Sequence, residues 1–227
     1  MPVENRHDIA FLHTSPVHVP TFAKLMREAA PALRITHVVR EQLLTDAQRD
    51  GTESAALIGR IQRAMAEAGA SGAAVVVCTC STIGGVAEAM DTGGAFRATR
   101  IDRAMADTAV KSGRTVLLVA AVESTLAPTA ALLQLSAQRL GTNLRIEHLL
   151  VPDAWPHFLG GDQASYIGAI VRAVSEASAA SKVVVLAQAS MAPAAGTLAA
   201  MGIAALSSPG LGVEHAVALH AESRGER

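Results

Sequence analysis

Two short apolar runs constrain the fold of this chain more than anything else in it: Val75-Val76-Val77-Cys78 and Val183-Val184-Val185-Leu186. A strand with one face in water alternates apolar and polar residues, and these runs do not. Continuous runs of this kind are strands buried on both faces, inside a parallel sheet that helices cover on each side. Mostly small and polar residues follow each run: Thr79-Cys80-Ser81-Thr82-Ile83-Gly84-Gly85 after the first, Ala187-Gln188-Ala189-Ser190-Met191 after the second. The first segment reads as a buried strand that delivers a thiol to the start of a helix. The second has the same shape, and Cys80-Ser81-Thr82 is set opposite Ala189-Ser190-Met191. The two then read as halves of a duplicated scaffold, with a thiol at one tip and alanine at the other.

The rest of the chain alternates in the same way. Strands are predicted at Ile9–His13, Arg34–Val39, Ala73–Thr79, Ala98–Ile101, Thr115–Val122, Leu144–Leu150, Val183–Ala187 and Ala204–Leu206. Helical patterns fall at Pro20–Ala30, Thr52–Ala68, Arg103–Ser112, Leu126–Leu140, Gln163–Ala179, Ala194–Ala200 and Leu211–His220. Gly69, Gly72, Gly113 and Gly141 end helices before strands. Strands alternating with helices predict an α/β protein with parallel sheets. No low-complexity linker divides the chain, and the crossing between two lobes is expected near Arg97–Arg103. Residues 1–97 with 207–227 form the first α/β lobe on this reading, and 98–206 the second, because one more βα unit closes the chain.

Composition narrows the function. The formal net charge is -1 and no Lys/Arg run occurs, so nucleic acid is not an expected partner. Aromatic residues are 3% of the chain, too few for base-stacking platforms. No apolar run reaches the roughly 20 residues that span a bilayer, so no membrane partner is expected. Met1 to Asp8 are polar and lack the apolar middle of a signal peptide. The two cysteines lie two residues apart in one strand, which excludes a disulfide framework and points to a reducing cytoplasm. The tail Glu222–Arg227 is polar and expected to fray.

In open parallel sheets, ligands bind at the carboxyl ends of the strands. That rule selects His13-Thr14-Ser15-Pro16, Cys80-Ser81-Thr82, Glu123-Ser124-Thr125, Gln188-Ala189-Ser190 and Ser207-Ser208-Pro209. All carry hydroxyls, and hydroxyls with free N–H groups at helix starts cradle carboxylates and developing oxyanions. Cys80 is the leading catalytic candidate, because the thiolate is the reactive form and a helix N-terminus favours it. Cys78 lies inside the strand and reads as structural. A Cys-Thr-Cys metal site would need further ligands at suitable spacing, and none is evident. Of the histidines, His13 sits at a strand tip and is the one expected to line a site, with His18 just beyond it. Glu123 is a candidate acid or base, or a carboxylate favouring a helix start. Asp153 and Trp155 follow a strand in what reads as a loop anchored by Pro152 and Pro156. No nucleotide-binding signature is present.

These residues resemble the aspartate/glutamate/hydantoin racemase superfamily over almost the whole chain. The valine-rich strand ending in Cys80-Ser81-Thr82 is similar to that family's first Cys-Asn-Thr motif. Ile101-Asp102-Arg103-Ala104-Met105-Ala106 before Gly113 looks like the crossing from the first lobe. Glu123-Ser124-Thr125-Leu126-Ala127-Pro128-Thr129 is similar to the Ser/Thr-rich loop of the second. Leu186-Ala187-Gln188-Ala189-Ser190-Met191 occupies the place of the second Cys-Thr motif, and Ser208-Pro209 resembles a closing motif. The resemblance implies two pseudosymmetric lobes, each a parallel sheet flanked by helices, with the active site in the cleft between them. It implies an enzyme without cofactor in which two thiols exchange a proton on opposite faces of a carbon. Cys80 would be one thiol. Ser81, Thr82, Thr125 and Ser190 would hold the substrate carboxylate, with Ser15 helping.

Three positions depart from the family pattern. Ala189 stands where the second thiol is expected, Met191 where a histidine follows it, and His13-Thr14-Ser15 where glutamate racemases carry an acid. His13 or Glu123 could then supply a second acid–base group. The expected function is a cofactor-independent racemase or isomerase acting on a small acid or amino-acid derivative. The alternatives are a decarboxylase, another lyase or a cis–trans isomerase of the same superfamily, or a non-catalytic small-acid binder. The expected partner is a small-molecule carboxylate, with a homo-oligomer left open.

Overall fold

The computed structural model describes residues 6–177 and 182–225. The chain divides into two compact units, the first running to Ile101 and resuming at Pro209, the second spanning Asp102–Ser208. In chain order, the first holds β1 (Ile9–His13), α1 (Val19–Ala29), β2 (Ile35–Val39), α2 (Gln42–Asp50), α3 (Ala55–Gly69), β3 (Val75–Cys78), α4 (Ser81–Glu88) and β4 (Arg97–Arg100). The second holds α5 (Arg103–Ser112), β5 (Thr115–Ala120), α6 (Leu126–Arg139), β6 (Arg145–Leu150), α7 (Trp155–Leu159), α8 (Gln163–Glu176), β7 (Val183–Leu186), α9 (Ala192–Ala200) and β8 (Ala205–Ser207). The last helix, α10 (Ser208–Ser223), carries the chain back into the first unit.

Each unit has one four-stranded sheet, and every pairing in both is parallel. The strand orders are β2-β1-β3-β4 and β6-β5-β7-β8, the same topology repeated. The valine runs explain which strands are central. Val75, Val76, Val77 and Cys78 are wholly buried in β3, between β1 and β4. Val184, Val185 and Leu186 are equally buried in β7, between β5 and β8. Side chains alternate faces along a strand. Ala10, Leu12, Val76 and Cys78 pack with Leu43, Leu57, Ile61, Met65 and Ile83 from α2, α3 and α4. Phe11 turns the other way, to Phe22 of α1, with ring centroids 5.5 Å apart. In the second unit Leu117, Val119, Val184 and Leu186 pack with Tyr166, Ile170 and Val174 of α8 and Leu198 of α9.

Three local readings change. The nine residues of α2 are a helix that the sequence pattern leaves unassigned. Only Leu43, Asp46 and Ala47 of it are buried, too sparse a stripe to register, and Gly51 at φ 76° stops it. The segment read as a loop around Pro152 and Pro156 is a 3₁₀ turn, Pro152–Ala154, running into α7. Proline in a first turn loses no hydrogen bond and has its φ already set, so both prolines start helix rather than prevent it. The strand Arg97–Arg100 is hydrogen-bonded to β3, so the change of unit follows it, at Ile101–Asp102, rather than preceding it. The expected helix end at Ala179 and the tail residues Glu226 and Arg227 lie outside the described residues. Among the described residues no helix is long and apolar enough to cross a membrane.

The return of α10 depends on one close approach. A Cβ on Gly212 would lie 2.1 Å from the Ile101 carbonyl oxygen and 2.5 Å from Ile101 Cδ1. Backbone cannot retreat as a flexible side chain can. Gly212→Ala is therefore expected to destabilise the protein by about 1–3 kcal/mol, the usual scale of overpacking, as a lowered urea midpoint. An unchanged midpoint would show that α10 does not seat against Ile101.

Candidate functional site

The carboxyl end of β3 carries the thiols. Cys78 is fully buried, and its Sγ donates to the Cys80 carbonyl oxygen at 3.7 Å. Cys80 is half-buried and takes the N-cap position of α4 with extended backbone, φ -97° and ψ 115°. Its side chain makes no capping bond, so the first-turn N–H groups of α4 are not taken by the thiol. Ser81 and Thr82 follow it and are buried. Beneath them runs Arg100, itself buried, whose Nη2 donates to the Ser81 carbonyl at 3.2 Å. Gly84 allows this approach. A Cβ there would sit 3.1 Å from Arg100 Cβ and Nε.

On the other face of the sheet, the tip of β1 holds a chain of hydrogen bonds. Thr79 Oγ1 donates to the Leu12 carbonyl at 3.1 Å. Its oxygen then accepts from His13 Nδ1–H at 2.9 Å, and His13 Nε2 accepts from His37 Nδ1–H at 2.8 Å. That assignment follows from the only donor arrangement the hydroxyl allows. His37 Nε2 is left buried without a partner among the described residues. His13 is wholly buried, and both ring nitrogens are engaged. Burial pushes its pKa down to about 3, with the neighbouring His37 and His18 adding to the effect. His13 therefore stays neutral over the ordinary pH range and offers neither a proton nor a lone pair outward. Ser15 is half-buried at the start of the following 3₁₀ turn and caps nothing with its side chain.

In the second unit the strand ends present hydroxyls and an amide. Thr125 and Ser190 are buried, and Glu123 is exposed at the start of the 3₁₀ turn after β5. Ser190 Oγ and the Tyr166 hydroxyl share a buried hydrogen bond of 2.7 Å. Burial pushes the Tyr166 pKa up to about 12, with the Ser190 bond opposing, so the phenol stays protonated. Gln188 Oε1 accepts from the backbone N–H of Ala121 at 2.6 Å and of Val122 at 3.2 Å. It thereby ties the tip of β7 to the tip of β5.

The two registers show which residue matches Cys80. Cys78 pairs with Leu12 in the first sheet, and Leu186 pairs with Val119 in the second. One residue on, Thr79 N–H donates to Leu12 O at 2.9 Å, and Ala187 N–H donates to Val119 O at 2.9 Å. The next residues are Cys80 and Gln188. Each is extended and caps the helical turn that follows, Gln188 with φ -113° and ψ 140°. Gln188, not Ala189, is the counterpart of Cys80. Setting the valine triplets directly over each other gives the same result, so the expected match of Cys80 with Ala189 is one residue out. Met191 is wholly buried in the second core, so it fills space rather than reaching the strand ends. Tyr166, His37 and Thr79 carry no motif and escape a sequence reading. Gln188 lies in a strand-end segment that the sequence selects, and the count from the valines matches it to Cys80. Among the described residues no group of three or more His, Cys, Asp or Glu side chains could hold a metal ion.

Two outcomes follow from these bonds. Tyr166→Phe leaves Ser190 Oγ short of a buried partner and is expected to cost about 1–3 kcal/mol in a denaturation curve. No change would mean that the serine hydroxyl finds another partner. His13 sets a pH dependence. Its folded pKa lies below the unfolded value of 6.5, so its stabilisation is complete above that value and drains away as pH falls towards 3. The urea midpoint of the wild type should therefore fall faster between pH 6 and 4 than that of His13→Gln. Parallel curves would contradict the buried neutral histidine.

No protein-family model matches this sequence, and no curated protein matches it by sequence. Solved structures do match. Aspartate racemase from Picrophilus torridus aligns with a TM-score of 0.67 at 15% identity, over 97% of this chain and 95% of that one. Glutamate racemase from Bacillus anthracis aligns with a TM-score of 0.70 at 14% identity, over 98% of this chain and 84% of that one. A cysteine variant of arylmalonate decarboxylase, in a sulfate-associated form, aligns at 0.56 and 19% identity, over 94% and 93%. The repeated four-stranded parallel topology is thus a fold shared with these aspartate racemase, glutamate racemase and arylmalonate decarboxylase structures.

Proposed function

We propose that this protein is a cofactor-independent enzyme that moves a proton next to a carboxylate or carbonyl of a small acid or amino-acid derivative. Cys80 is the acid–base group in this reading. As thiolate, its sulfur takes a proton from the substrate carbon, and the C–H electron pair passes into the adjacent carbonyl or carboxylate. The enolate oxygen so formed is met by N–H groups at the start of α4. The thiol then returns a proton to the carbon. What supports the reading is one observation: a half-buried thiol at the carboxyl end of a central parallel strand, capping a helix without bonding to it. The racemase fold gives that placement its chemical sense, because strand ends are where open parallel sheets bind ligands.

A second reading has its own support. Gln188 stands where a second thiol would be matched to Cys80, and a carboxamide neither takes nor gives protons at ordinary pH. A decarboxylase needs only one thiol. The bond from carbon to a carboxylate breaks, carbon dioxide leaves, and the electron pair stays on carbon as an enediolate. Cys80 then protonates it and recovers its proton from water. His13, buried with both nitrogens bonded, does not serve as the second group. Glu123, exposed at the β5 end, is the remaining candidate.

The test uses aspartate, glutamate, allantoin and phenylmalonate in deuterated water, followed by NMR. At least one is expected to exchange its carbon-bound hydrogen or lose carbon dioxide. Cys80→Ala should lower that rate at least about a hundredfold, the usual worth of a positioned acid–base group. Full activity in Cys80→Ala would overturn the assignment. Binding of a probe without turnover by the wild type would favour the small-acid binder.

A further inference from the structure

We infer that Gln188 is an oxygen-holding residue: at the strand end of the second unit, in the register position matched to Cys80, it offers its amide NH₂ to a carboxylate oxygen of a small acid. The inference rests on the ligand class of the proposed function and names a group in the second unit that would hold such a ligand.

The orientation of the amide is determined by its partners. Two backbone N–H groups, of Ala121 and Val122, point at one atom of Gln188, at 2.6 and 3.2 Å. Two donors require an acceptor, so that atom is the carbonyl oxygen and the amide cannot be flipped. Its NH₂ group consequently faces the other way. That nitrogen has no hydrogen-bond partner among the described residues, and it is not among the atoms sealed from solvent. Gln188 is half-buried, so the group is held rather than waving freely. A fixed pair of donors at a parallel-strand end is suited to a carboxylate. The same side chain that would receive the ligand also holds the β5 tip, and the hydroxyl of Ser190, braced by Tyr166, lies two residues on.

A carboxamide neither takes nor gives protons at ordinary pH, so Gln188 can bind oxygen but cannot carry out the proton transfer of a thiol.

Malonate binding, measured by calorimetry, tests the inference without needing turnover. Gln188→Glu is the sharpest variant. It keeps an oxygen for the Ala121 and Val122 N–H groups and replaces only the NH₂, with an oxygen that repels a carboxylate. Malonate affinity should fall at least about tenfold in Gln188→Glu and in Gln188→Ala, the scale of losing a hydrogen bond to a charged group. The amide resonances of Ala121 and Val122 should stay in place in Gln188→Glu and shift in Gln188→Ala. The thiol introduced by Gln188→Cys should be alkylated by iodoacetamide about as fast as Cys80, and that introduced by Ala189→Cys more slowly. Malonate bound equally by the wild type and Gln188→Glu, or not bound by the wild type, would overturn the inference. So would slow alkylation in Gln188→Cys. Turnover that survives Cys80→Ala would sink the proposed acid–base role instead, leaving the binding result as it stands.

Discussion

The parallel pairing of β3 with β1 is the constraint on which the first unit depends. Val75, Val76 and Val77 are buried on both faces, so β3 can only be a central strand. Its carboxyl end must then open where the helices begin. The pairing of Cys78 with Leu12 sets the register, and a slip of one residue would turn every side chain of the strand to the other face. With that register, Cys78 falls into the core with Leu57 and Ile61, and Cys80 emerges two residues later as the cap of α4. Thr79 between them turns to the opposite face and ties the tip of β3 to Leu12 and His13. One pairing thus decides which thiol is buried, which is reachable, and which residue braces the strand tips.

The same pairing repeated in the second unit carries different chemistry. Leu186 replaces Cys78, Ala187 replaces Thr79, and Gln188 replaces Cys80. The buried His13–His37 pair has no counterpart of its kind: the residue matched to His13 is Ala120, and the β5 tip is secured by the Gln188 amide instead. The two halves solve one structural problem, fastening adjacent strand tips, with different groups. In the first half the fastener lies on the face away from Cys80, which leaves the thiol unbonded to its cap. In the second the fastener is itself the residue at the thiol's position. That contrast is the physical basis for the proposals that Cys80 moves a proton and that Gln188 binds oxygen.

Much of this was legible in the sequence. All eight strands fall close to where the sequence predicts them, and the inner strands β1, β3, β5 and β7, buried almost throughout, leave the clearest apolar runs. Helix α2 was not legible, since a stripe of three buried residues hardly differs from a polar loop. Helix α7 was misread because proline marks loops and helix starts alike. The place of Cys80 at a strand end and helix start was legible because it follows a buried valine run and precedes Ser81-Thr82. Its partner position was not, because a one-residue slide between the halves costs nothing on paper. In the folded chain the backbone hydrogen bonds of Thr79 and Ala187 settle it. The neutral state of His13 and the Tyr166–Ser190 pair arise from neighbours distant in sequence, which no local motif records.

The central claim is that one thiol, Cys80, does the chemistry while Cys78 is structural. The most direct measurement follows brief iodoacetamide treatment of the wild type with mass mapping of both cysteines and a parallel activity assay. The account predicts that Cys80 is alkylated far faster than Cys78, and that activity is lost at the rate at which Cys80 is modified. Alkylation of Cys78 first, or activity that persists once Cys80 is fully modified, would contradict it.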